Sequence, residues 1–198
     1  MPLWGATDSD ESKPKNLTTA EKKEVFANAS GWVREAGSAL SGNDNTDADP
    51  EVLVAIGELS TSIGAADITE VEMVTTTADK SEGFTISVRV RYNEPVDVVT
   101  TGGTPTLAVT NGNEGTGTGR APHSLSYASG TGTNELIFSL AIATANAATN
   151  ADDVLSVGAQ SIALNSGTIK DAAGTASDAS LVISEAQGTA AGSVTVTA

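Results

Sequence analysis

Polar and hydrophobic side chains alternate over much of the chain after residue 66. Between residues 84 and 92 the even positions carry Phe, Ile, Val, Val and Tyr, and the odd positions carry Thr, Ser, Arg and Arg. A period of two is the pattern of a β-strand with one buried face. This segment is therefore predicted to be a strand, with Arg89 and Arg91 on its polar face.

Shorter segments with the same character follow, each bounded by Gly, Asn, Ser or Pro. They comprise residues 68–75, 107–109, 125–127, 136–142, 154–157, 161–164 and 181–183. Many short strands with turns between them and no helical interruption predict an antiparallel immunoglobulin-like β-sandwich over residues 67–198. The final GSVTVT segment fits either a last strand or an edge that pairs with a neighbouring molecule. Pro95, Pro105 and Pro122 are expected at strand starts or edges.

The first 66 residues lack this regularity. Residues 1–16 are polar and charged apart from isolated apolar side chains, as in an extended arm. Thr18 and Glu21 match a capping box before a helix over 20–27, although the same region also fits extended chain around a turn at Ser30 and Gly31. A polar loop at 38–50 precedes an apolar run at 51–59 that fits a strand or a short helix. The prediction is a mainly β protein whose small, irregular N-terminal region spans residues 1–66.

Net charge narrows the possible partners. The chain carries −15, with five basic and eleven acidic residues up to residue 66, and five and fourteen after it. Neither part offers the basic patch that binds a nucleic-acid backbone or an anionic membrane. Nucleic acid and membrane are therefore not expected as partners.

Composition and motifs give no support to an enzyme. Cysteine is absent, which excludes a disulfide framework and thiolate chemistry. The single histidine, His123, adjoins Ser124, but a catalytic triad needs a base oriented by a carboxylate from elsewhere in the fold. The glycine-rich runs lack the Lys-Ser/Thr ending of a phosphate loop. No catalytic residue and no cofactor are predicted, and the start of the chain lacks a secretory signal, so synthesis and assembly in a cytoplasm are expected.

Acidic loops raise a calcium alternative. Asp152, Asp153 and Asp171 carry the hard oxygen ligands that Ca²⁺ prefers, and loops at one end of a sandwich can converge. Their spacing does not match a defined calcium loop. The simpler interpretation is solvated turns, with no metal.

Aromatic side chains are few, with three Phe, two Tyr and two Trp. Leu3 and Trp4 lie in a polar arm that cannot bury them unaided, and aromatics are enriched at the centres of interfaces. Leu3, Trp4 and Trp32 are therefore the candidate partner-docking residues. The alternatives are that Trp4 folds back on its own chain and that Trp32 fills a small core in the N-terminal region. Arg89 and Arg91 fit either acidic partners or a solvated face.

The later part of the chain carries a resemblance to a known repeat. Its motifs are an Asn-Glu-Pro-Val strand end, Gly-Thr-Pro-Thr-Leu, a hairpin with Ser129-Gly130 and Gly132, and Gly-Thr-Ile-Lys-Asp-Ala-Ala-Gly. These resemble the immunoglobulin-like repeat of large cyanobacterial cell-surface and swimming-motility proteins. Those proteins carry many tandem copies, whereas here there is one.

The N-terminal part resembles a different group. The start Met-Pro-Leu-Trp-Gly, then Ala-Ser-Gly-Trp-Val and Glu-Val-Leu-Val-Ala-Ile, is similar to the head of small virion structural proteins of tailed marine cyanophages. The resemblance implies a capsid decoration protein that docks through residues 1–66 on the major capsid protein or another virion protein. The sandwich would be displayed on the outer capsid surface, with self-association or host-surface contact as further possibilities. The alternative is a tail-associated or host-surface, glycan-binding adhesion module.

Overall fold

The computed structural model describes residues 13–14, 16–112, 122–144, 148–174 and 176–198. Within these ranges the chain is mainly β, as the alternating pattern predicts. The first part, here called the N-terminal unit, comprises the described residues from Lys13 to Ile63. Its elements are helix α1 (Thr19–Lys23), strands β1 (Val25–Asn28), β2 (Gly31–Arg34) and β3 (Glu51–Ala55), and a 3-10 turn (Leu59–Thr61).

Both interpretations of the segment after Thr18 are partly correct. The Thr18 hydroxyl caps the Glu21 amide and the Glu21 carboxylate accepts from the Thr18 amide, which forms the predicted capping box. The helix nevertheless ends at Lys23 and gives way to β1, because Val25 and Phe26 favour extended backbone. Both interpretations of the apolar run at residues 51–59 are also partly correct, because strand β3 is followed by the 3-10 turn.

The three strands of the N-terminal unit form an antiparallel sheet in the order β1-β2-β3. One face of this sheet carries the fully buried ring of Trp32, which belongs to a small core of its own. That core is completed by Val25, Ala27 and Leu59, with Leu17, Leu53, Val54, Ile56 and Ile63 packed against it. The unit is therefore more regular than the sequence indicated.

The sandwich follows from residue 68. Its strands are β4 (Ile68–Met73), β5 (Ala78–Asp79), β6 (Phe84–Val99), β7 (Thr106–Asn111), β8 (His123–Ser129), β9 (Thr133–Ile142), β10 (Val154–Ser156), β11 (Gln160–Ser161), β12 (Thr168–Asp171), β13 (Val182–Ile183) and β14 (Ser193–Thr197), with helix α2 (Glu185–Ala190) before the last of them.

The pairing of these strands is that of an immunoglobulin-type sandwich. One layer has the order β4-β6-β9-β8 and the other has the order β5-β14-β10-β7, and the β7–β8 hairpin joins them. With the short strands β5, β11, β12 and β13 set aside, seven strands remain, and their orders are first-second-fifth-fourth and third-sixth-seventh, as in the constant-type immunoglobulin arrangement. Strand β5 adds a short parallel pairing to β14. GSVTVT is thus the last strand of the sandwich.

A single hydrophobic core lies between the layers. Phe138, Ile86 and Tyr92 come from one layer and Leu155 and Val196 from the other, and all are fully buried. The β8–β9 turn is the predicted glycine hairpin, with Gly130 at φ +112° and Gly132 at φ +78°. At Gly130 a Cβ would stand 1.9 Å from the carbonyl oxygen of Glu135, so no other residue fits without a shift of the backbone.

Pro95 was expected at a strand start or edge, but it lies inside strand β6. Along one edge β6 pairs first with β4, from Val88 to Tyr92, and then with β12, from Val96 to Val99. Its register against β9 also shifts between Arg91 and Val96. Pro95 occupies this break, where the missing amide donor removes no ladder hydrogen bond. The Asn-Glu-Pro-Val motif is therefore a change of partner and not a strand end.

Helix α2 was not expected, since the sequence predicted strands without helical interruption. Ser184 and Gln187 form a second capping box around its first turn. Strands β5 and β12 were also missed, and both are short. Each is defined by pairing with a distant strand, which local periodicity does not reveal.

We expect Phe138→Ala to destabilise the sandwich by about 3–5 kcal/mol, because the substitution leaves a cavity between the two layers. Val182→Ala, at a side chain that is 61% exposed, is the matched control and should change stability by about 0.5 kcal/mol or less. Urea unfolding followed by tryptophan fluorescence and circular dichroism measures both. Equal effects of the two substitutions would contradict the assigned core.

Candidate docking region and its ionic junction

The N-terminal unit lies against the sandwich through the second face of its small sheet. Phe26 and Val33 are cross-strand partners on that face, and both are buried. Strand β1 contacts β6, and a pocket of about 420 Å³ is lined by Phe26 together with Pro95 and Thr133 of the sandwich. The sandwich therefore covers this second face at β1 and β2, whereas β3 remains largely exposed.

A buried arginine lies at the centre of this contact. Arg91 of β6 is 8% exposed, and its guanidinium meets four carboxylates, of which Glu72 is the most distant at 3.8 Å and the other three are closer. The distances are 2.6 Å from Nη1 to Glu70 Oε2, 2.5 Å from Nε to Glu135 Oε1 and 3.3 Å from Nε to Glu35 Oε1. We call Arg91, Lys23, Glu35, Glu70 and Glu135 the ionic junction. A buried guanidinium must be paired in this way, since an unpaired charge in the interior is strongly destabilising.

The junction joins the two parts of the molecule. Glu35 follows β2 in the N-terminal unit, yet it pairs with Arg91 and accepts a hydrogen bond from Asn134 Nδ2 at 3.2 Å. Lys23, in α1, lies 2.6 Å from Glu70 Oε1 in β4. These cross-unit contacts are charged and directional, so they fix the orientation of the N-terminal unit on the sandwich.

The charges of the junction are not balanced, and the pKa values reflect this. Burial raises the pKa of Glu70, but hydrogen bonds from Lys23 and Arg91 outweigh burial and lower it. The pKa of Glu135 is lowered in the same way, by Arg91 and Arg89. For Glu35 burial dominates over the attraction of Arg91, and its pKa is raised to about 7. Glu35 is therefore the carboxylate that takes up a proton near neutral pH.

The N-terminal unit also presents a free strand edge. Strand β3 pairs with β2 along one edge, and no strand within the described ranges pairs with its other edge. Val52 of β3 is 50% exposed. The register between β2 and β3 shifts at Trp32 and Val33, which bulges the strand. An exposed edge with apolar side chains is a surface to which another strand can be added.

The candidate docking residues are Leu3, Trp4 and Trp32, and the structure bears on only one of them. Leu3 and Trp4 lie outside the described residues. Trp32 is fully buried in the core of the N-terminal unit, so docking through its ring was the wrong interpretation and the core role is correct. For Arg89 and Arg91 the alternatives were acidic partners or a solvated face. Both pair with glutamates of the same chain, and Arg91 is buried whereas Arg89 is partly exposed.

The predicted calcium ligands do not converge. The Asp152 amide donates to the Val196 carbonyl, and Val196 pairs with β5. Asp152 therefore lies near the turn that leads from β5 into the start of β6. Asp171 pairs with Val96, which lies twelve residues after the first residue of β6. At about 3.3 Å per residue these are opposite ends of the sandwich. Within the described ranges, no three acidic or histidine side chains form a group able to hold a metal ion.

A different acidic residue is unusual in its surroundings. Glu94 lies in the break of β6 with no solvent exposure, and neither carboxylate oxygen has a hydrogen-bond partner. Burial, together with the negative charges of the nearby Asp171 and Asp67, raises its pKa to about 8. Sequence analysis missed Glu94. The available signal was that Glu94, next to a proline, falls at an even position, where the strand otherwise carries its buried apolar side chains.

His123 begins β8 and is buried, with Nε2 at 2.9 Å from the Thr149 hydroxyl. None of the helices in the described ranges is long and apolar enough to cross a bilayer.

Comparison with known proteins adds no identification: no family model, no curated protein and no solved structure matches the chain.

We expect Arg91→Met to destabilise the protein by about 3–5 kcal/mol, because three carboxylates lose their shared partner inside the junction. Lys170→Met is the matched control, since Lys170 forms an exposed pair with Asp178 and such pairs contribute about 0–1 kcal/mol. Urea unfolding at pH 7.5 measures both. A loss below about 1 kcal/mol for Arg91→Met would mean that the buried carboxylates do not depend on Arg91 for neutralisation.

Glu94 should make stability fall as pH rises. Its folded pKa of about 8 lies above the ordinary value of 4.5, so between these values the folded chain holds a proton that the unfolded chain has lost. This contribution is present at pH 5, declines through pH 8 and is then lost. Glu94→Gln cannot titrate, so its stability relative to the unsubstituted protein should increase from pH 5 to 8. Urea unfolding in EDTA tests this, with the exposed Asp178→Asn as the control; parallel curves for Glu94→Gln would contradict it.

Proposed function

We propose that this protein is a non-enzymatic virion structural protein that decorates the outer surface of a phage capsid. The N-terminal unit docks and the immunoglobulin-like sandwich is displayed. The observation that carries the proposal is that the chain consists of two structurally distinct parts. A small unit with its own core and a free strand edge is fixed to a complete sandwich by the ionic junction.

Docking through the N-terminal unit uses the outer edge of β3. A strand of the major capsid protein, or of another virion protein, would extend the sheet by backbone hydrogen bonds, and the side chain of Val52 would add apolar contact. Residues 1–12, with Leu3 and Trp4, supply a second attachment to the same partner. Two linked contacts on a lattice of identical subunits give avidity that neither contact has alone.

The charge of the protein favours an outward position. A net charge of −15 is repelled by packaged DNA, so the inner face of a capsid is disfavoured.

A glycan-binding role receives less support. Recognition of sugars by stacking needs exposed aromatic rings. Among the described residues, Trp32, Tyr92 and Phe138 are fully buried, and Tyr127 packs edge-on against Phe138 at 6.1 Å. Display of the sandwich therefore does not by itself imply carbohydrate binding.

The experiment is reconstitution on purified phage capsids that lack the protein, with occupancy measured by quantitative gel analysis and cryo-electron microscopy. We expect Val52→Lys to reduce occupancy, because a lysine on an exposed edge discourages strand addition. Val99→Lys is the matched control, since Val99 is equally exposed at 50% but lies in the sandwich. Removal of residues 1–12 should also reduce occupancy. The deletion stops there because Lys13 and Leu17 pack within the N-terminal unit.

The outcomes are distinct. Full occupancy with both the Val52→Lys chain and the shortened chain would overturn docking through the N-terminal unit. Failure of the unsubstituted protein to bind capsids, together with binding to tails or to host cells, would overturn the capsid location. Circular dichroism of each variant shows whether the sandwich remains folded.

A further inference from the structure

We propose that the outer edge of strand β3 receives an extended segment of a partner protein, with an apolar centre and basic residues at both ends. This edge has no strand partner within the described ranges, and Val52 beside it is 50% exposed. An exposed edge alone accepts many extended chains, because its hydrogen bonds come from the backbone. The charges around β3 select among them.

Acidic side chains flank β3 at both ends. Asp44, Asp47 and Asp49 lie in the loop that leads into the strand, and Glu58 follows its last residue by three positions. All four are exposed, and none takes part in an ion pair among the described residues. Unpaired negative charge therefore stands before and after the free edge.

Basic residues of this chain do not offset that charge. No lysine or arginine occurs between Arg34 and Lys80. Arg34 itself is buried, and its guanidinium is already shared by Glu21 at 3.3 Å and Glu51 at 3.5 Å. The described lysines of the N-terminal unit line a pocket between α1 and β4 instead. A partner that brings its own positive charge is therefore complementary to the surroundings of β3.

The same charges disfavour two other occupants of the edge. A second copy of this chain carries −15 and would bring an identical acidic flank against the first. Residues 1–12 of the same chain include Asp8, Asp10 and Glu11 and neither lysine nor arginine. Like charges that face each other across an interface cost free energy. A basic segment of another protein is the occupant that gains from the flank.

Between the acidic ends the strand itself is apolar. Val52 lies opposite Val33, on the face that packs against the sandwich at β1 and β2, and Leu53 and Val54 pack against the core of the N-terminal unit. β3 has five residues. A matching segment therefore has an apolar centre of about five residues, and basic residues beyond each end reach the acidic flanks.

The test titrates the full chain with a fluorescently labelled peptide, Lys-Lys-Val-Thr-Val-Thr-Val-Lys-Lys, and follows its anisotropy. We expect saturable binding that is about tenfold or more tighter than that of the counterpart with serine in place of each lysine. Binding should weaken from about 0.1 to about 1 M NaCl, where the screening length falls from about 10 to about 3 Å. N-methylation of the five central residues keeps the charge and removes the backbone donors, so this peptide should not bind.

Charge reversal in the protein locates the contact. The double variant Asp47→Lys, Asp49→Lys should weaken binding of the lysine peptide by about tenfold or more. The matched control is Glu82→Lys with Glu185→Lys, which alters net charge equally at exposed positions of the sandwich. This control should alter binding by less than about twofold, since the substituted charges lie away from β3. Circular dichroism checks that both double variants are folded.

Several results would overturn the inference. One is no binding of the lysine peptide, and another is equal binding of the serine or N-methylated peptide. Equal effects of the two double variants would also contradict it. Binding that appears only after removal of residues 1–12 would identify those residues as the occupant. A dimer in sedimentation analysis that Val52→Lys dissociates would identify a second copy.

The inference rests on docking through β3, which is part of the proposed function, but the two fail separately. If the chain binds the lysine peptide as expected and does not bind capsids, the proposed location is wrong and the chemistry of the partner segment stands. If the chain binds capsids and the lysine peptide behaves like its serine counterpart, the capsid role stands and the basic segment is wrong.

Discussion

The pairing of strand β6 is the constraint on which the rest of the molecule depends. Its sixteen residues form one edge contact with β9 and two successive contacts, with β4 and then β12, along the other edge. A strand that changes partner must leave backbone and side chains unmatched where the change occurs. Asn93, Glu94 and Pro95 occupy that point, and each is suited to it in a different way. Asn93 binds the incoming chain, Pro95 lacks a donor, and Glu94 is left without a partner.

The same strand determines how the two parts of the chain meet. Arg91 lies just before the break, on the side of β6 that the N-terminal unit covers, and it can remain buried only because carboxylates from both parts surround it. Ionic contacts of this kind add little net stability compared with apolar packing, but they tolerate few alternative geometries. The main effect of the ionic junction is therefore to fix the orientation of the N-terminal unit on the sandwich. The apolar core of each part supplies most of its stability.

Much of the fold follows from local sequence, and the functional features do not. The alternating side chains around Ile86 and Val88 determine a strand and its buried face, and the glycines at 130 and 132 determine a hairpin. These signals operate within one or two neighbouring residues. The role of Arg91 depends instead on Glu35, which is 56 residues away in the sequence, and the isolation of Glu94 depends on which strands do not reach it. Trp32 is the opposite case, because the sequence suggested a functional residue and the structure shows a core residue. An aromatic residue in an irregular segment is as readily a core residue as a docking residue.

The parallel pair of β5 and β14 has a consequence for the order of folding. Strand β5 ends at residue 79, but its partner is not synthesised until residues 193–197. Within the described residues, the strand pairs of the N-terminal unit lie among residues 25–55, so they join segments close in sequence and can form early during translation. The sandwich can close only when the last strand emerges from the ribosome. The unit proposed to find the partner is thus the first to fold, and the part proposed for display is completed last.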